Sequence, residues 1–220
     1  MSQLTLNEIK SLGISAGLAV LNIGLIWAFL YTPLATVNQI VFSTLILGML
    51  FYGVFLTAGN WLGKKGVRNG NKGQALLGIG LLQLAYGMFG AGVLNLLGST
   101  NSTLIITVLG ITATITVFIT LLSGVLVYWT DRNFSSFQKY SMYSFFGALG
   151  AGLIGSFSGI FGIVAFTLVF FCFLFDLIYE IWNMKKRSGN VVLNGLGIYV
   201  AFMGVFVEIL RLVVEAYLRR

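Results

Sequence analysis

The sequence predicts an all-α membrane protein, a bundle of seven transmembrane helices with its N-terminus in the cytoplasm. Three observations predict it. Of 220 residues, 58% are hydrophobic and 9% are charged, whereas a soluble domain carries about 25% charged residues because its surface meets water. Apolar runs close to the ~20 residues a helix needs to cross the hydrocarbon core recur along the chain. Lys and Arg gather in alternate connections between those runs.

In order, the expected spans are 14–34, 40–61, 73–97, 103–129, 140–157, 161–182 and 191–217. The first exceeds the apolar core of a typical signal peptide and lacks a clear small-residue cleavage site, so it is expected to stay as a span. The fifth is short and Gly-rich, and only residues 158–160 separate it from the sixth. No run alternates apolar and polar residues as a lipid-facing barrel strand does. Residues 1–220 read as a single transmembrane domain.

The basic residues orient the bundle. Lys10 precedes the first span. Lys64, Lys65, Arg68 and Lys72 follow the second, Arg132 and Lys139 the fourth, and Lys185, Lys186 and Arg187 the sixth. The opposite connections, about 35–39, 98–102 and 158–160, hold no Lys or Arg. Basic residues concentrate on the cytoplasmic side, so the N-terminus is expected inside and the C-terminus outside. Arg219 and Arg220 go against that placement and would suit a last segment that only dips into the bilayer.

Composition also excludes chemistry. The chain has no His and one Cys, Cys172, which rules out an intrachain disulfide and His-based acid–base or zinc chemistry. A net charge of +7 that lies in short loops points to a membrane surface and not to nucleic acid. An intramembrane aspartyl protease needs two membrane aspartates, and the second Asp, Asp131, falls in a loop. A retinal Schiff base needs a Lys in the last span, which has none. The chain is expected not to be an enzyme and to carry no cofactor.

Small residues let helices approach closely in lipid. Gly147, Ala151, Gly155 and Gly159 recur every four residues and predict a packing face on the fifth span. In the last span, Gly197, Ala201, Gly204, Glu208, Arg211 and Glu215 follow spacings of three and four, which places them on one helical stripe. Glu208 and Arg211 are either a charge-neutralised cluster near the outer interface or part of a polar pathway.

The sixth span carries Cys172, Asp176, Glu180 and Asn183 on a similar stripe. Asp176 lies about seven residues from the basic loop, roughly 10 Å deep at 1.5 Å per residue. A carboxylate at that depth is costly and faces a cavity or a partner. Glu180 is one turn shallower, so the two carboxyls are expected to share and exchange a proton, as an ion pathway or proton sensor. The other reading of Glu180 is that it snorkels to the headgroups beside Lys185–Arg187.

The segments LFDLIYEIWNMKKR and NGLGIYVAFMGVFVEILRLV resemble the two closing helices of the transmembrane Bax inhibitor motif family, particularly its short prokaryotic members. Those helices carry an aromatic-Asp-Leu and then Leu-Tyr-Leu-Asp-Phe-Ile-Asn with a later Leu-Leu-Arg. TDRNFSSF also resembles the family's Lys-Asp-Leu-Ser loop. The resemblance implies a seven-helix fold in which two aspartates share a proton and gate a calcium leak. Asp176 matches the first aspartate, Ala201 stands at the second, Arg211 matches the family arginine and Glu208 stands where Asn is usual. Lys64 and Lys65 are candidates for the family's basic latch at the end of the second helix.

The expected function is therefore a proton-sensitive cation leak, with calcium as the expected ion, in a prokaryotic cell membrane. The alternative is an interaction protein that regulates a membrane protease or a stress or cell-death pathway without conducting ions. Lipid, calcium and a membrane protease are the expected partners.

Overall fold

A computed structural model describes residues 4–42, 45–98, 102–130, 132–155, 159–187 and 189–219. The described residues form eight helices and no strand: α1 Leu6–Tyr31, α2 Leu34–Val41, α3 Leu45–Arg68, α4 Lys72–Asn95, α5 Ser102–Trp129, α6 Ser136–Gly155, α7 Gly159–Lys186 and α8 Val191–Leu218. Asp131 and parts of the connections expected at 98–102 and 158–160 lie outside the described residues.

Among the described residues, five helices are long and apolar enough to cross a membrane: Leu6–Tyr31, Lys72–Asn95, Ser102–Trp129, Ile163–Lys186 and Val191–Leu218. This corrects the expected seven. The run 40–61 is broken between α2 and α3 and includes residues 43–44, outside the described set. The run 140–157 lies mostly in α6, which opens on Ser136, Gln138, Lys139 and Ser141, and it extends past the described residues at 156–157.

Helix α1 begins well before the apolar run that announced it. The Thr5 hydroxyl accepts from the Glu8 N–H at 3.4 Å, and the Glu8 carboxylate accepts from the Thr5 N–H at 2.5 Å. This reciprocal cap satisfies amide groups that the first turn leaves open. At the other end Thr32 and Pro33 stop α1 and start α2, so the connection expected at 35–39 is helical. Asn38 anchors α2: its amide donates to the Met88 carbonyl at 3.0 Å and accepts from the Gly92 N–H at 3.3 Å, across on α4.

The bundle is organised around α8. This helix packs against α1, α3, α4, α5 and α7, and most of its residues from Asn194 to Leu210 are buried. Two hairpins flank it. In the α3–α4 hairpin, Gly59, Gly63 and Gly66 meet Gly78 and Ala75 so closely that a Cβ on Gly78 would run into the Gly63 backbone. In the α6–α7 hairpin, Gly147 of the expected small-residue face lies against Leu168 and Ala151 is half-buried, while Gly155 and Gly159 lie outside the residues whose packing is described. The outer surface keeps large apolar groups exposed, among them Val20, Leu21, Phe118, Leu121 and Phe146. A continuous apolar exterior of this kind marks a membrane or protein interaction surface.

One buried polar network ties α1, α4 and α8. Asn22 Nδ2 donates to the Gln83 carbonyl at 3.0 Å, to Gln83 Oε1 at 2.9 Å and to Tyr199 Oη at 3.3 Å. Gln83 Nε2 in turn donates to the Leu18 carbonyl at 2.9 Å. These groups have no water to bond in the core, so pairing across helices offsets their desolvation.

Candidate functional site

The sixth expected span, 161–182, falls within α7, and it presents its two carboxylates in different surroundings. Glu180 is 5% exposed and points inward. Its Oε1 accepts from Lys64 Nζ of α3 at 2.9 Å. The carboxylate lies over Gly197 of α8, where a Cβ would come within 2.5 Å of its carboxyl carbon. Glu180 therefore does not snorkel to the headgroups; a glycine notch and a lysine on neighbouring helices hold it inside. Its neighbour on the basic loop, Lys185, instead donates to the Val127 carbonyl at 3.1 Å and sits over the Tyr128 ring.

Asp176 stands one turn away, in the wall of a cleft of about 610 Å³. Leu56, Thr57, Asn60 and Lys64 of α3 form one side, and Cys172, Phe173 and Asp176 of α7 with Val200 of α8 form the other. Among the described residues Asp176 makes no hydrogen bond or close ion pair, and the buried Asn60 Oδ1 has no hydrogen-bond partner. The Asp176 carboxylate and Asn60 Oδ1 thus share one cleft with the Lys64 ammonium, which is bonded to Glu180. Trp61, Lys65 and Arg68 rim the opening at the basic end, with Lys65 Nζ 4.6 Å from the centre of the Trp61 ring.

Ala201 lies elsewhere. It is fully buried in an apolar layer with Phe173, Leu177, Ile198 and Val205. The position where the resemblance implies a second aspartate is therefore filled by close apolar packing between α7 and α8.

Glu208 and Arg211 are brought together, but not with Asp176 and Glu180. They line a second cleft of about 830 Å³ towards the opposite ends of α7 and α8, with Phe166, Phe170, Glu215 and Arg219. Arg211 Nη1 donates to Glu215 Oε1 at 2.8 Å, and the guanidinium stacks 3.5 Å from the centre of the Phe166 ring. Arg211 Nε is 3.4 Å from Glu208 Oε2, near enough for charge attraction but misaligned for a hydrogen bond, so both atoms stay unsatisfied. The α8 stripe from Gly197 to Arg211 does face α7, as its spacing predicts.

One ion pair and one buried carboxylate were not foreseen. Lys64 is expected as a cytoplasmic loop charge and as one of two candidate latches, and nothing in its own segment points to Glu180. Glu8 is 4% exposed and accepts a 2.7 Å hydrogen bond from Tyr128 Oη of α5. The Thr5-x-x-Glu8 capping pattern signals it in the sequence. Buried carboxylates thus occur in α1 as well as in α7 and α8. Among the described residues, no group of three His, Cys, Asp or Glu stands ready to hold a metal ion.

No family model, no curated protein and no solved structure matches the chain.

Proposed function

We propose that the protein is an integral membrane cation leak, with the cleft between α3 and α7 as its inner pathway and Asp176 as the carboxylate that a permeant cation meets. On this reading the five long apolar helices cross the bilayer. Helices α3 and α6 pack on α4 and α7 within the same bundle. The basic end of the bundle faces the cytoplasm.

One observation carries the reading: Asp176 lines a cleft inside an apolar bundle with, among the described residues, no hydrogen bond or close ion pair of its own. Opposite it is Asn60, whose buried Oδ1 has no hydrogen-bond partner, while the nearby Lys64 ammonium is bonded to Glu180. An intramembrane carboxylate facing a cleft is the ordinary mark of an ion or proton pathway. Oxygen donors of this kind suit hard cations, and calcium is the ion that the resemblance to the Bax inhibitor motif proteins implies.

The Lys64–Glu180 pair supplies a means of keeping the leak low. A tethered ammonium occupies the carboxylate nearest the basic end, so an arriving cation must compete with a covalently held one. The chain performs no bond chemistry in this account, and it needs no cofactor.

Flux into proteoliposomes loaded with a calcium indicator tests it. Wild-type protein is expected to pass calcium, and Asp176→Asn to lose most of that flux with the fold intact. Equal flux from the two proteins would refute the role of Asp176. No flux from either, beside a co-purifying membrane protease, would favour the interaction protein.

A further inference from the structure

The cleft around Glu208 has no part in the pathway described so far, yet it is built on the same two helices. Glu208 is 6% exposed, and its Oε2 is buried without a hydrogen-bond partner. Arg211 Nε, 3.4 Å away, is in the same condition. Both are satisfied together by a group that donates to the carboxylate and accepts from the guanidinium, as water does. A cleft of about 830 Å³ has room for several waters or for a hydrated cation.

Between the two clefts α7 and α8 are packed together, with Ala201 and Val205 fully buried and the Phe173 ring set on Gly204. Gly204 lies four residues from Val200, in the inner cleft, and four from Glu208, in the other, about 6 Å in each direction along the helix. The Phe173 ring, 9% exposed, sits directly on Gly204, where any Cβ would run into it. Phe173 also lines the inner cleft, and Phe170, one turn back, lines the other.

We propose that the Glu208 cleft is the outward vestibule of the same pathway, with Glu208 as its cation-binding carboxylate, and that Phe173 seated on Gly204 is the apolar constriction between the vestibules. A ring across a narrow apolar neck excludes water and so stops ions, and moving the ring restores continuity. The Arg211 guanidinium bonds Glu215, stacks on Phe166 and stays 3.4 Å from Glu208, so a cation at Glu208 competes with that longer ion pair. This inference rests on the cation-leak reading, but the constriction has a test that needs no flux.

The test uses silver ion, a small aqueous cation that reacts with thiols, on Cys172→Ser protein in oriented vesicles. Asn60→Cys reports the inner cleft and Thr167→Cys the other; silver binding is read as protection from maleimide after solubilisation. Silver added at the basic face is expected to protect Asn60→Cys, and silver added at the opposite face to protect Thr167→Cys. From the opposite face, Asn60→Cys should become protected only when Phe173→Ala is also present. Gly204→Ala, which must push the ring aside, should give the same result and serves where Phe173→Ala folds poorly. Silver reaching Asn60→Cys from the opposite face with Phe173 intact overturns the proposal. So does failure to reach it in both folded variants. A gain of access without calcium flux upholds the constriction and refutes the calcium leak. Where calcium does pass, Phe173→Ala should raise flux several-fold and Glu208→Gln lower it; unchanged flux in Glu208→Gln removes Glu208 from the path.

Discussion

Lys64 and Glu180, 116 positions apart in the chain, meet at 2.9 Å inside the bundle and join α3 to α7 at the rim of the cleft that holds Asp176. Lys64 keeps a quarter of its side chain exposed whereas Glu180 is almost wholly enclosed. The pair is thus half anchored: the carboxylate is fixed by packing, and the ammonium has room to leave.

That asymmetry makes Lys64→Met informative. Removing the ammonium leaves Glu180 as a buried charge without its partner. The expected cost is about 1–3 kcal/mol, between the values for exposed and fully buried pairs, read from denaturant unfolding in detergent. Calcium flux should rise in the same variant, because the tethered competitor is gone. A fall in flux with the fold retained would show that Lys64 assists permeation.

Gly197→Ala separates the ion pair from general stability. The atoms nearest the new methyl are those of the Glu180 carboxylate, which can swing, so the bundle should assemble. Glu180 is expected to lose its place on Lys64, and flux should resemble that of Lys64→Met. Wild-type flux in a folded Gly197→Ala protein would count against the ion pair as a restraint.

Gly78→Ala is the contrasting case. Here the added Cβ meets the backbone of Gly63 and the Gly59 carbonyl, not a movable side chain. The α3–α4 hairpin must open along its length, with a cost of about 1–3 kcal/mol or more from overpacking. Loss of monodisperse protein on size exclusion or a clear drop in thermal midpoint checks this, and an unchanged midpoint would contradict the close approach.

Gln83→Leu probes the buried amide network. It removes an acceptor for Asn22 and the donor to the Leu18 carbonyl. Interhelical hydrogen bonds in membranes are each worth about 0.5–2 kcal/mol, so a destabilisation of that size is expected in unfolding by SDS titration. Asn22→Val should cost a similar amount, and the double variant less than the sum, because the two side chains share one network.

The sequence by itself determined what is local. Hydrophobic content set lipid as the matching solvent, spacings of three and four put Gly197, Ala201, Gly204, Glu208 and Arg211 on one stripe, and run lengths located α4, α5, α7 and α8 closely. Where hydropathy alone was used, boundaries slipped: α1 starts at Leu6 because Thr5 and Glu8 cap it with polar groups that an apolar count passes over. Tertiary structure alone decided which charges meet. Lys64 reaches Glu180 because glycines bring α3, α4 and α8 into near contact, and Gly197 leaves a notch that only the fold fills. It also placed Asp176 in one cleft and Glu208 in another, and set the Phe173 ring on Gly204. Helical periodicity states which residues share a face, but the partner across that face depends on close approaches between segments far apart in the chain.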